Sequence, residues 1–587
     1  MSDLLNQASL VVIPSGYKED TVYSVVPSDG SGDLSFTRAS NGTRINSAGL
    51  VEDCPWNLLE YSEDFNNAVY NKYNNITATA DQTSAPNGTN TADKIGLSTA
   101  STTFPNLAQD AQYIGGQVYT FSVYFKKNTV NFGKIRLGGT AFASITNSPI
   151  FNLNTGVVVS GTGTIENVGN GWYRCTMTAV ADTSAAGGFA IDLPDSTGVW
   201  SGSSVYNVND SIFAWGYQAN IGSTAKPYFP TTDRLNVPRL TYQNGGGGCP
   251  SLLLEKQSTN LLTYSEQFDN AGWTKYNATI TANTTTSPDG TQNADKCLDN
   301  TNNDYHSFYQ SISISADTTL SIYVKAAEYS KFAISNASDG GDVLFNLSTV
   351  AVISTSANFK NAKIESVGNG WYRVSATTNG TSGGKAMGYS LVNDAGAISF
   401  LGTGSKGVFI WGAQIEQSSY PTSYIPTTSA TATRVADACS KTGISSLIGQ
   451  TEGVIFWDIE VETLSASGNE NILNVDSGSF GNTMYLIKTA TGGVVAEIYV
   501  SNVAQCLFSY SLPSVGRYKM ALAYKANDFA LYVNGVSRGT DSSGSVPTCS
   551  RLQLGNGVLG PSDGKTNQAV LFKTRLTNAE LASLTTI

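Results

Sequence analysis

A chain of 587 residues is too long for one hydrophobic core and predicts three or four domains of about 150 residues each. Only 13% of its residues are charged, the formal net charge is −11 and no run of Lys or Arg occurs, which argues against nucleic acid or an anionic membrane surface as a direct partner. The 40% apolar and 10% aromatic content argues against disorder, and no segment approaches the ~20 apolar residues that membrane insertion by a helix needs.

The N-terminal segment, residues 1–54, has no repeat partner elsewhere in the chain and is predicted to be a separate piece. It begins without the basic residues and the long apolar stretch of a secretory signal. It is therefore not predicted to be a secretory signal.

The middle of the chain contains an internal repeat. The block NLLEYSEDFNNAVYNKY at Asn57 returns as NLLTYSEQFDNAGWTKY at Asn260, and IENVGNGWYR returns as IESVGNGWYR. Five such blocks recur in the same order, while the offset between the copies falls from 203 residues at the first block to 196 at the last. We interpret this as the duplication of a domain of about 170 residues with length changes in its loops, which gives module 1 at 55–235 and module 2 at 259–436.

Each repeated block has the pattern of a β-strand. TFSVYFK and TLSIYVK alternate apolar with polar residues, and the Gly-Asn-Gly of VGNGWYR predicts a hairpin turn. The glycine of FAWGYQ and FIWGAQ predicts a bulge or a close approach of two backbones. Neither module sustains a 3.6-residue apolar period, so each is predicted to be two antiparallel sheets packed face to face, as in a jelly roll.

The segments that flank the modules carry arginines. Residues 236–258 form a joint between the modules and include the glycine-rich run YQNGGGGCP. Arg44 precedes module 1, Arg234 follows it and Arg434 follows module 2. Each arginine could either bond the edge of a neighbouring module and fix its angle or lie in solvent as a linker residue.

The C-terminal third, residues 451–587, differs from the modules but is also rich in strand patterns. EGVIFWDIEVE alternates as a strand, and RYKMALAYKANDFALYVNGVSRG predicts two strands around Lys525–Asp528 and then a tight turn at Asn534–Gly535. The chain closes with a strand and a short helix whose N-cap lies within Thr577–Glu580. The fold class expected for the chain is therefore all-β, with tandem antiparallel β-sandwich domains.

These motifs resemble those of known families. The succession of YVNG, LQLG and a final strand into TNAEL makes residues 451–587 similar to laminin-G-like and concanavalin A-like lectin domains. NLLTYSEQF, VGNGWYR and WGAQ…SYIPTT resemble modules of bacteriophage structural proteins and, in outline, carbohydrate-binding jelly-roll modules. The resemblance implies jelly-roll modules and a C-terminal concanavalin A-like sandwich in a tail-fibre, head-fibre or capsid-decoration protein of a virion.

The resemblance leads to three functional hypotheses. The first is a non-enzymatic fibre or appendage protein whose distal sandwich binds host-surface glycans through weak contacts that multivalent display strengthens. The second is a purely structural head-fibre or decoration protein, and the third, the least favoured, is a polysaccharide depolymerase. The N-terminal segment would dock on other virion proteins, a homo-oligomer is expected with a trimer favoured, and the virion would be assembled in the host cytoplasm.

Few residues could support catalysis. His306 is the only histidine, so a catalytic triad or a multi-histidine metal site would have to include it, and we favour a structural role. Seven scattered cysteines without a CxxC pair predict free thiols rather than disulfides or a zinc site. Two pairs of acidic residues occupy matching positions of the repeat, which favours a scaffold role over a glycosidase pair: Glu63 with Glu266, and Asp93 with Asp295. We therefore expect no catalytic residues and no enzymatic activity.

Two further sets of residues are candidates for binding. Asp93 and Asp295 recur in an Ala-Asp-Lys context and could bind a structural Ca²⁺, although bonding to main-chain amides explains the pattern equally well. No other metal or cofactor is expected. The aromatics predicted to contact carbohydrate, with core packing as the alternative, lie near module starts and turns: Trp56, Tyr70, Trp273 and Tyr276.

Overall fold

The structure is a computed structural model, and it describes residues 2–201, 204–380, 382–464, 469–555 and 564–587. These residues form two compact units: Pro55–Arg234 with Gly290–Asn293, and Met1–Cys54 with Leu235–Asp289 and Ala294–Ile587. Nearly all of the regular structure is antiparallel β-strand, which confirms the predicted all-β fold class with tandem antiparallel β-sandwich domains. Among the described residues, none of the helices is long and apolar enough for a membrane span.

The strands and helices follow one another along five segments of the chain. The N-terminal segment contains α1 (Ser2–Leu5), β1 (Leu10–Val12), β2 (Tyr17–Lys18), β3 (Thr21–Val22), β4 (Leu34–Thr37), β5 (Gly42–Ile45) and β6 (Val51–Cys54). Module 1 contains β7 (Asn71–Tyr73), β8 (Ile76–Thr83), β9 (Ala92–Leu97), β10 (Asn106–Tyr113), β11 (Val118–Lys127), β12 (Phe132–Gly139), a 3-10 helix (Thr140–Phe142), β13 (Ile150–Asn152), β14 (Val157–Ser160), β15 (Thr164–Gly169), β16 (Trp172–Val180), β17 (Ala185–Asp192) and β18 (Ser211–Ile221). The joint contains β19 (Arg239–Thr241), β20 (Ser251–Leu254) and β21 (Ser258–Asn260).

Module 2 contains β22 (Thr274–Tyr276), β23 (Ala278–Thr285), β24 (Ala294–Asp299), β25 (Asn303–Tyr305), β26 (Ser307–Ile314), β27 (Thr319–Ala326), β28 (Lys331–Asn336), β29 (Asp342–Asn346), β30 (Ala351–Thr355), β31 (Phe359–Gly368), β32 (Trp371–Thr378), β33 (Gly383–Val392), β34 (Ser399–Leu401), β35 (Gly407–Glu416) and β36 (Ala432–Arg434). The C-terminal region contains β37 (Ala438–Thr442), a 3-10 helix (Ser445–Leu447), β38 (Glu452–Val461), β39 (Glu470–Asp476), β40 (Thr483–Lys488), β41 (Gly493–Val500), β42 (Val503–Ser511), β43 (Gly516–Lys525), β44 (Phe529–Val533), β45 (Val536–Asp541), β46 (Arg551–Leu554), β47 (Gly564–Phe572) and α2 (Asn578–Thr585).

Modules 1 and 2 have the same topology. Each contains two six-stranded sheets, ordered β7-β10-β17-β12-β13-β14 and β8-β9-β18-β11-β16-β15 in module 1. The corresponding orders in module 2 are β22-β26-β33-β28-β29-β30 and β23-β24-β35-β27-β32-β31. Each pair of sheets encloses its own apolar core, so the repeated sequence blocks encode the same sandwich twice.

The turns and bulges predicted in the repeat are confirmed. Asn170 and Gly171 have positive φ angles of 50° and 78° at the hairpin between β15 and β16, which is the backbone that an Asn-Gly pair adopts in a type I′ turn. Gly216 lies at the bulge between β11 and β18 with φ 66°, and a Cβ there would approach the ring of Tyr124 to 2.8 Å. Glycine is therefore required at the bulge by both space and backbone conformation.

Local predictions for the C-terminal region are also confirmed. The turn between β44 and β45 contains Asn534 and Gly535, with φ angles of 49° and 78°. At the start of α2 the Thr577 side chain accepts a hydrogen bond from the Glu580 main-chain N–H, and the Glu580 carboxylate accepts one from the Thr577 N–H. This reciprocal pair is a capping box.

The third sandwich is assembled from distant parts of the chain. Its eight-stranded sheet has the order β19-β20-β47-β38-β43-β44-β45, with β1 paired to β47, and its nine-stranded sheet has the order β2-β3-β4-β37-β46-β39-β40-β41-β42. Leu10, Phe36 and Leu252 are fully buried in its core beside Trp457. The N-terminal segment that we predicted to be separate is therefore part of this sandwich, and residues 451–587 supply only some of its strands. Long-range strand pairing of this kind leaves no local signal in the sequence.

Three arginines beside the module boundaries meet in the interior of the same unit. Arg38, Arg239 and Arg434 are at most 1% exposed. Asp437 accepts a hydrogen bond from Arg38 Nη1 at 3.0 Å and another from Arg239 Nη2, while Glu255 accepts one from Arg239 Nη1 at 2.7 Å. Arg434 lies 3.5 Å from Glu255 and 3.9 Å from Asp437. Two buried carboxylates thus join chain segments that are far apart in sequence.

The other two arginines predicted at the junctions also bond their surroundings. Arg44 donates to Glu52 at 2.9 Å and to the main-chain oxygen of Leu240 at 3.1 Å. Arg234 Nε donates to the main-chain oxygen of Asn57 at 2.9 Å, at the start of module 1. The interpretation of these residues as solvated linkers is wrong for Arg44 and Arg434, because both side chains are at least nine-tenths buried.

Candidate functional site

Two of the four aromatics predicted to contact carbohydrate lie in module cores. Tyr70 is 3% exposed and donates through its hydroxyl to the main-chain oxygen of Tyr61 at 2.9 Å. Trp273, its counterpart in the repeat, is 2% exposed and donates through Nε1 to the main-chain oxygen of Tyr264 at 2.9 Å. Neither ring is accessible to a ligand. Both residues pack in the core, which was the alternative to carbohydrate contact.

The other two aromatics are more accessible. Trp56 is half-buried, and its ring packs on Phe229 with the centroids 4.8 Å apart. Tyr276 is 45% exposed, and its hydroxyl donates to Asp304 Oδ2 at 2.7 Å. Trp56 belongs to module 1 and Tyr276 to module 2, so each is described within its own module.

The two candidate calcium ligands are buried and bonded to the main chain. Asp93 accepts hydrogen bonds from the N–H groups of Phe65 at 2.9 Å and Asp81 at 3.0 Å, and Asp295 accepts two equivalent bonds. Burial raises the pKa of Asp93 to about 6 and that of Asp295 to about 7. A group of three or more His, Cys, Asp or Glu side chains that could hold a metal is not found in the described parts of the chain. These contacts match the alternative to calcium binding, in which both aspartates bond main-chain amides.

The residues considered for catalysis are likewise held by the fold. His306 is fully buried, with Nδ1 2.7 Å from the main-chain oxygen of Asn277 and Nε2 3.1 Å from that of Phe400. The repeat-matched Glu63 and Glu266 each accept a hydrogen bond from a tyrosine hydroxyl, at 3.1 and 3.0 Å. Burial raises the pKa of Glu266 to about 8.

A groove of about 320 Å³ crosses the outer face of one sheet of module 1, and we call it the module 1 groove. Its floor is made of small residues on three neighbouring strands: Ala108 of β10, Gly188 and Ala190 of β17, and Gly138 of β12. The register aligns Ala108 with Ala190 and aligns Gly188 with Gly138, so the small residues lie side by side. Because side chains alternate along a strand, the neighbours of these residues point into the core and the floor stays recessed.

The groove is bounded by charged side chains. Arg136 uses Nε and Nη2 to bind the buried carboxylate of Asp192 at 3.0 and 3.2 Å, and its Nη1 has no hydrogen-bond partner among the described residues. This Nη1 lies over Gly138, 3.4 Å from where a Cβ would be, and on the other side Asp110 Oδ1 is 2.9 Å from where a Cβ of Gly188 would be. Asp110 accepts a hydrogen bond from Asn71 through Oδ2 at 3.1 Å. Within the described residues, Arg136 Nη1 and Asp110 Oδ1 are thus a donor and an acceptor without a partner beside the glycines.

An exposed aromatic ring lies at the end of the groove. Tyr73 of β7 is 48% exposed and pairs across the strands with Asn106, which also lines the groove. Trp200 is half-buried beside the same sheet face, with Lys134 Nζ 4.8 Å and the Arg136 guanidinium 5.3 Å from its ring centroid. The accessible face of Tyr73 offers an apolar surface next to the polar walls.

Module 2 lacks these features at the matching positions. Strand register places Tyr309 where module 1 has Ala108, so an aromatic side chain stands on the floor. Ser335 and Ser390 replace Arg136 and Asp192, and their hydroxyls bond each other at 2.8 Å. The charged, recessed groove is therefore a feature of module 1 and not of the repeated fold.

The residues of the groove were not predicted from the sequence. Tyr73 aligns with the predicted Tyr276 in the first repeated block, so the repeat itself contained a signal for it. Asp110 and Arg136 lie outside the blocks in which the two modules are alike. A search for positions where the repeats differ in charge and side-chain size would have found them, once the strand register was known.

Comparison with known proteins gives matches to solved structures only: no protein-family model and no curated protein matches the chain. The sialidase module CBM40 of Ruminococcus gnavus bound to α2,3-sialyllactose is 18% identical, with 25% of this chain and 91% of that chain covered and a TM-score of 0.22. The CBM22-1–CBM22-2 tandem domain of Paenibacillus barcinonensis Xyn10C is 9% identical (62% and 98% covered, TM-score 0.18), and domains LG4-5 of the mouse laminin α1 chain are 10% identical (46% and 88% covered, TM-score 0.16). With identities and TM-scores this low, the matches carry no argument about function.

Proposed function

We propose that the protein is a carbohydrate-binding protein and that the module 1 groove is its glycan site. The observation that carries the proposal is the recessed floor of Gly138, Gly188 and their alanine neighbours, placed between a guanidinium with a free Nη1 and a free carboxylate oxygen. Sugar hydroxyl groups both donate and accept hydrogen bonds, so Asp110 and Arg136 can each bind one. The exposed ring of Tyr73 can pack on the apolar face of the sugar.

The size and charge of the groove narrow the ligand class. A volume of about 320 Å³ lies at the small end of the range for ligand sites, which suits a short saccharide or the end of a longer chain. The positive charges of Lys134 and Arg136 are matched by the carboxylates of Asp110 and Asp192. A neutral sugar therefore meets no unbalanced charge, and single-site binding is expected in the millimolar range, about 4 kcal/mol.

A glycan array probed with the full chain tests the proposal, with Ala108→Tyr as the deciding variant. Module 2 carries Tyr309 at this position, opposite Gly388, whereas Ala108 lies opposite Ala190. A tyrosine at 108 would stand on the same outer face of the sheet and fill the floor. We expect wild-type protein to bind a set of neutral glycans and Ala108→Tyr to lose them at unchanged melting temperature. Tyr309→Ala in module 2 is the matched control and should leave binding intact. Equal binding by wild type and Ala108→Tyr would contradict the assignment.

We further propose that the chain is a non-enzymatic bacteriophage appendage protein that forms a homo-oligomer, with a trimer favoured, and is assembled on the virion in the host cytoplasm. The repeated motifs NLLTYSEQF and VGNGWYR support this proposal through their resemblance to phage structural modules. Because strands of the N-terminal segment belong to the third sandwich, docking on other virion proteins would use a surface of that sandwich. Mass spectrometry of gradient-purified particles should find the chain in stoichiometric amount, and its absence would refute the virion assignment.

A further inference from the structure

A second recess lies within the unit that contains module 2 and the third sandwich, and we call it the Arg373 cleft. Its volume is about 450 Å³. The walls are the β5–β6 hairpin, strands β31 and β32 of module 2, and residues 462–464 and 564–565 of the sandwich. The cleft shares no lining residue with the module 1 groove, so binding at one site does not depend on the function proposed for the other.

The floor of the cleft carries an arginine with unused hydrogen-bond donors. The Arg373 guanidinium lies 5.5 Å from the ring centroid of Tyr323, and its Nη2 donates to Ser321 Oγ at 3.0 Å. Arg373 Nε is buried and has no hydrogen-bond partner among the described residues, and Nη1 makes no bond to them either. In module 1 the repeat-matched Arg174 donates through Nη2 to the main-chain oxygen of Lys226 at 2.6 Å, a bond that Arg373 does not make. Arg373 therefore makes fewer hydrogen bonds to its own module than Arg174 does.

The lysines that line the cleft form ion pairs, whereas Arg373 forms none with the described residues. Glu416, Glu365 and Glu255 act on the Arg373 guanidinium only from a longer distance. Lys363 Nζ lies 2.7 Å from Glu365 Oε1, and Lys565 Nζ lies 2.5 Å from Glu462 Oε1. Glu365 is also the cross-strand neighbour of Arg373, but no ion pair forms between these two side chains. Within the described residues, Arg373 is a cation of the cleft that no carboxylate contacts.

The remaining charged groups of the lining are also paired. Arg44 binds Glu52 at 2.9 Å, and Glu255 accepts from Arg239 Nη1 at 2.7 Å. Filling the cleft with an anion would therefore not displace an existing partner of Arg373. A half-buried guanidinium that forms no ion pair gains charge-assisted hydrogen bonds from a ligand that supplies a carboxylate.

We propose that the Arg373 cleft binds a small carboxylate ligand of the size of a uronic acid. A guanidinium is planar, and its N–H groups form a fork that matches the two oxygens of a carboxylate. That of Arg373 lies 5.5 Å from the ring centroid of Tyr323. The volume accommodates one sugar ring with its substituents and leaves room for water. The carboxylate would lie at Arg373, with the hydroxyl groups facing the paired lysines and glutamates of the walls.

D-Glucuronate and D-glucose are the probes that test this site, because they differ only in the carboxylate. Titration calorimetry or saturation-transfer NMR on the full chain should detect millimolar binding of glucuronate and weaker or absent binding of glucose. Arg373→Gln is expected to weaken glucuronate binding at least tenfold. Arg174→Gln, the matched change in module 1, should leave it unchanged.

A second variant keeps the test decisive if Arg373→Gln fails to fold. Val515 also lines the cleft and is 47% exposed, so Val515→Trp fills part of the cleft without changing Arg373 or a buried residue. We expect this variant to melt like wild type and to lose glucuronate. Equal binding of glucose and glucuronate, or glucuronate binding that survives Val515→Trp, would overturn the proposal, and so would survival of binding in a folded Arg373→Gln protein.

Discussion

Replacing Asp437 by asparagine removes the carboxylate shared by two buried arginines. Asp437 is 1% exposed and accepts hydrogen bonds from Arg38 Nη1 at 3.0 Å, from Arg239 Nη2 and from the Glu255 main-chain N–H at 2.9 Å. An amide keeps the volume but offers one acceptor oxygen and no charge, so a buried guanidinium charge is left uncompensated. Breaking a buried ion pair in this way costs about 3–5 kcal/mol, and we expect the free energy of unfolding of this unit to fall by that amount.

Urea denaturation followed by tryptophan fluorescence and circular dichroism measures the loss, read from the transition of the unit that holds module 2 and the third sandwich. Asp317→Asn is the control, because Asp317 pairs with Lys360 at 2.5 Å while both side chains are 34–40% exposed. Such a surface pair contributes about 0–1 kcal/mol. A loss below about 1 kcal/mol for Asp437→Asn, similar to the control, would refute the reasoning that the buried network holds these segments together.

Three further predictions concern the sandwich, the groove and pH. Phe36→Ala should lower the free energy of unfolding by about 3–5 kcal/mol, because this fully buried ring of the N-terminal segment lies in the core of the third sandwich; a loss below about 1 kcal/mol in urea denaturation would contradict that assembly. Tyr73→Ala should weaken glycan binding about tenfold in calorimetry, whereas Tyr276→Ala should leave it unchanged, and the reverse result would move the site to module 2. Burial raises the pKa of Asp192 to about 6, against an ordinary value near 4, so the folded chain holds a proton between about pH 4 and 6 that the unfolded chain releases. The stability of module 1 should therefore fall as the pH rises through this window, and Asp192→Asn should remove that slope in thermal melts.

Local structure was predictable wherever a few neighbouring residues decide it. The hairpin at Asn170–Gly171 follows from the freedom of Asn and Gly to adopt positive φ angles, and the capping box at Thr577 follows from two side chains three residues apart. The common topology of the modules follows from their repeated blocks. These features need no knowledge of distant contacts.

The assembly of the third sandwich was not predictable in the same way. Strand β1 pairs with β47 more than 550 residues along the chain, as in the register of Leu10 with Leu571. The apolar sequence of Leu10–Val12 predicts a buried strand but does not show which strand it pairs with. The N-terminal segment was therefore expected to be separate. Of the buried arginines only Arg434 was predicted, for the same reason: both modules separate Arg38 from Asp437 in sequence, and module 2 separates Arg239 from it.

The site escaped prediction because its shape depends on residues that are small. Tryptophans and tyrosines near turns were natural candidates, yet Tyr70 and Trp273 fill the cores. Ala108 and Gly188 matter because nothing occupies the space above them, which only the strand register reveals. The difference between Ala108 and Tyr309 distinguishes two modules that otherwise share a fold.

A crystal structure of the full chain with an array-positive glycan tests the central claim most directly. The sugar should lie in the module 1 groove over Gly138 and Gly188, with hydroxyl groups bonded to Asp110 and Arg136 and one ring face on Tyr73. A glycan bound on any other surface, with the groove occupied by solvent, would contradict the account.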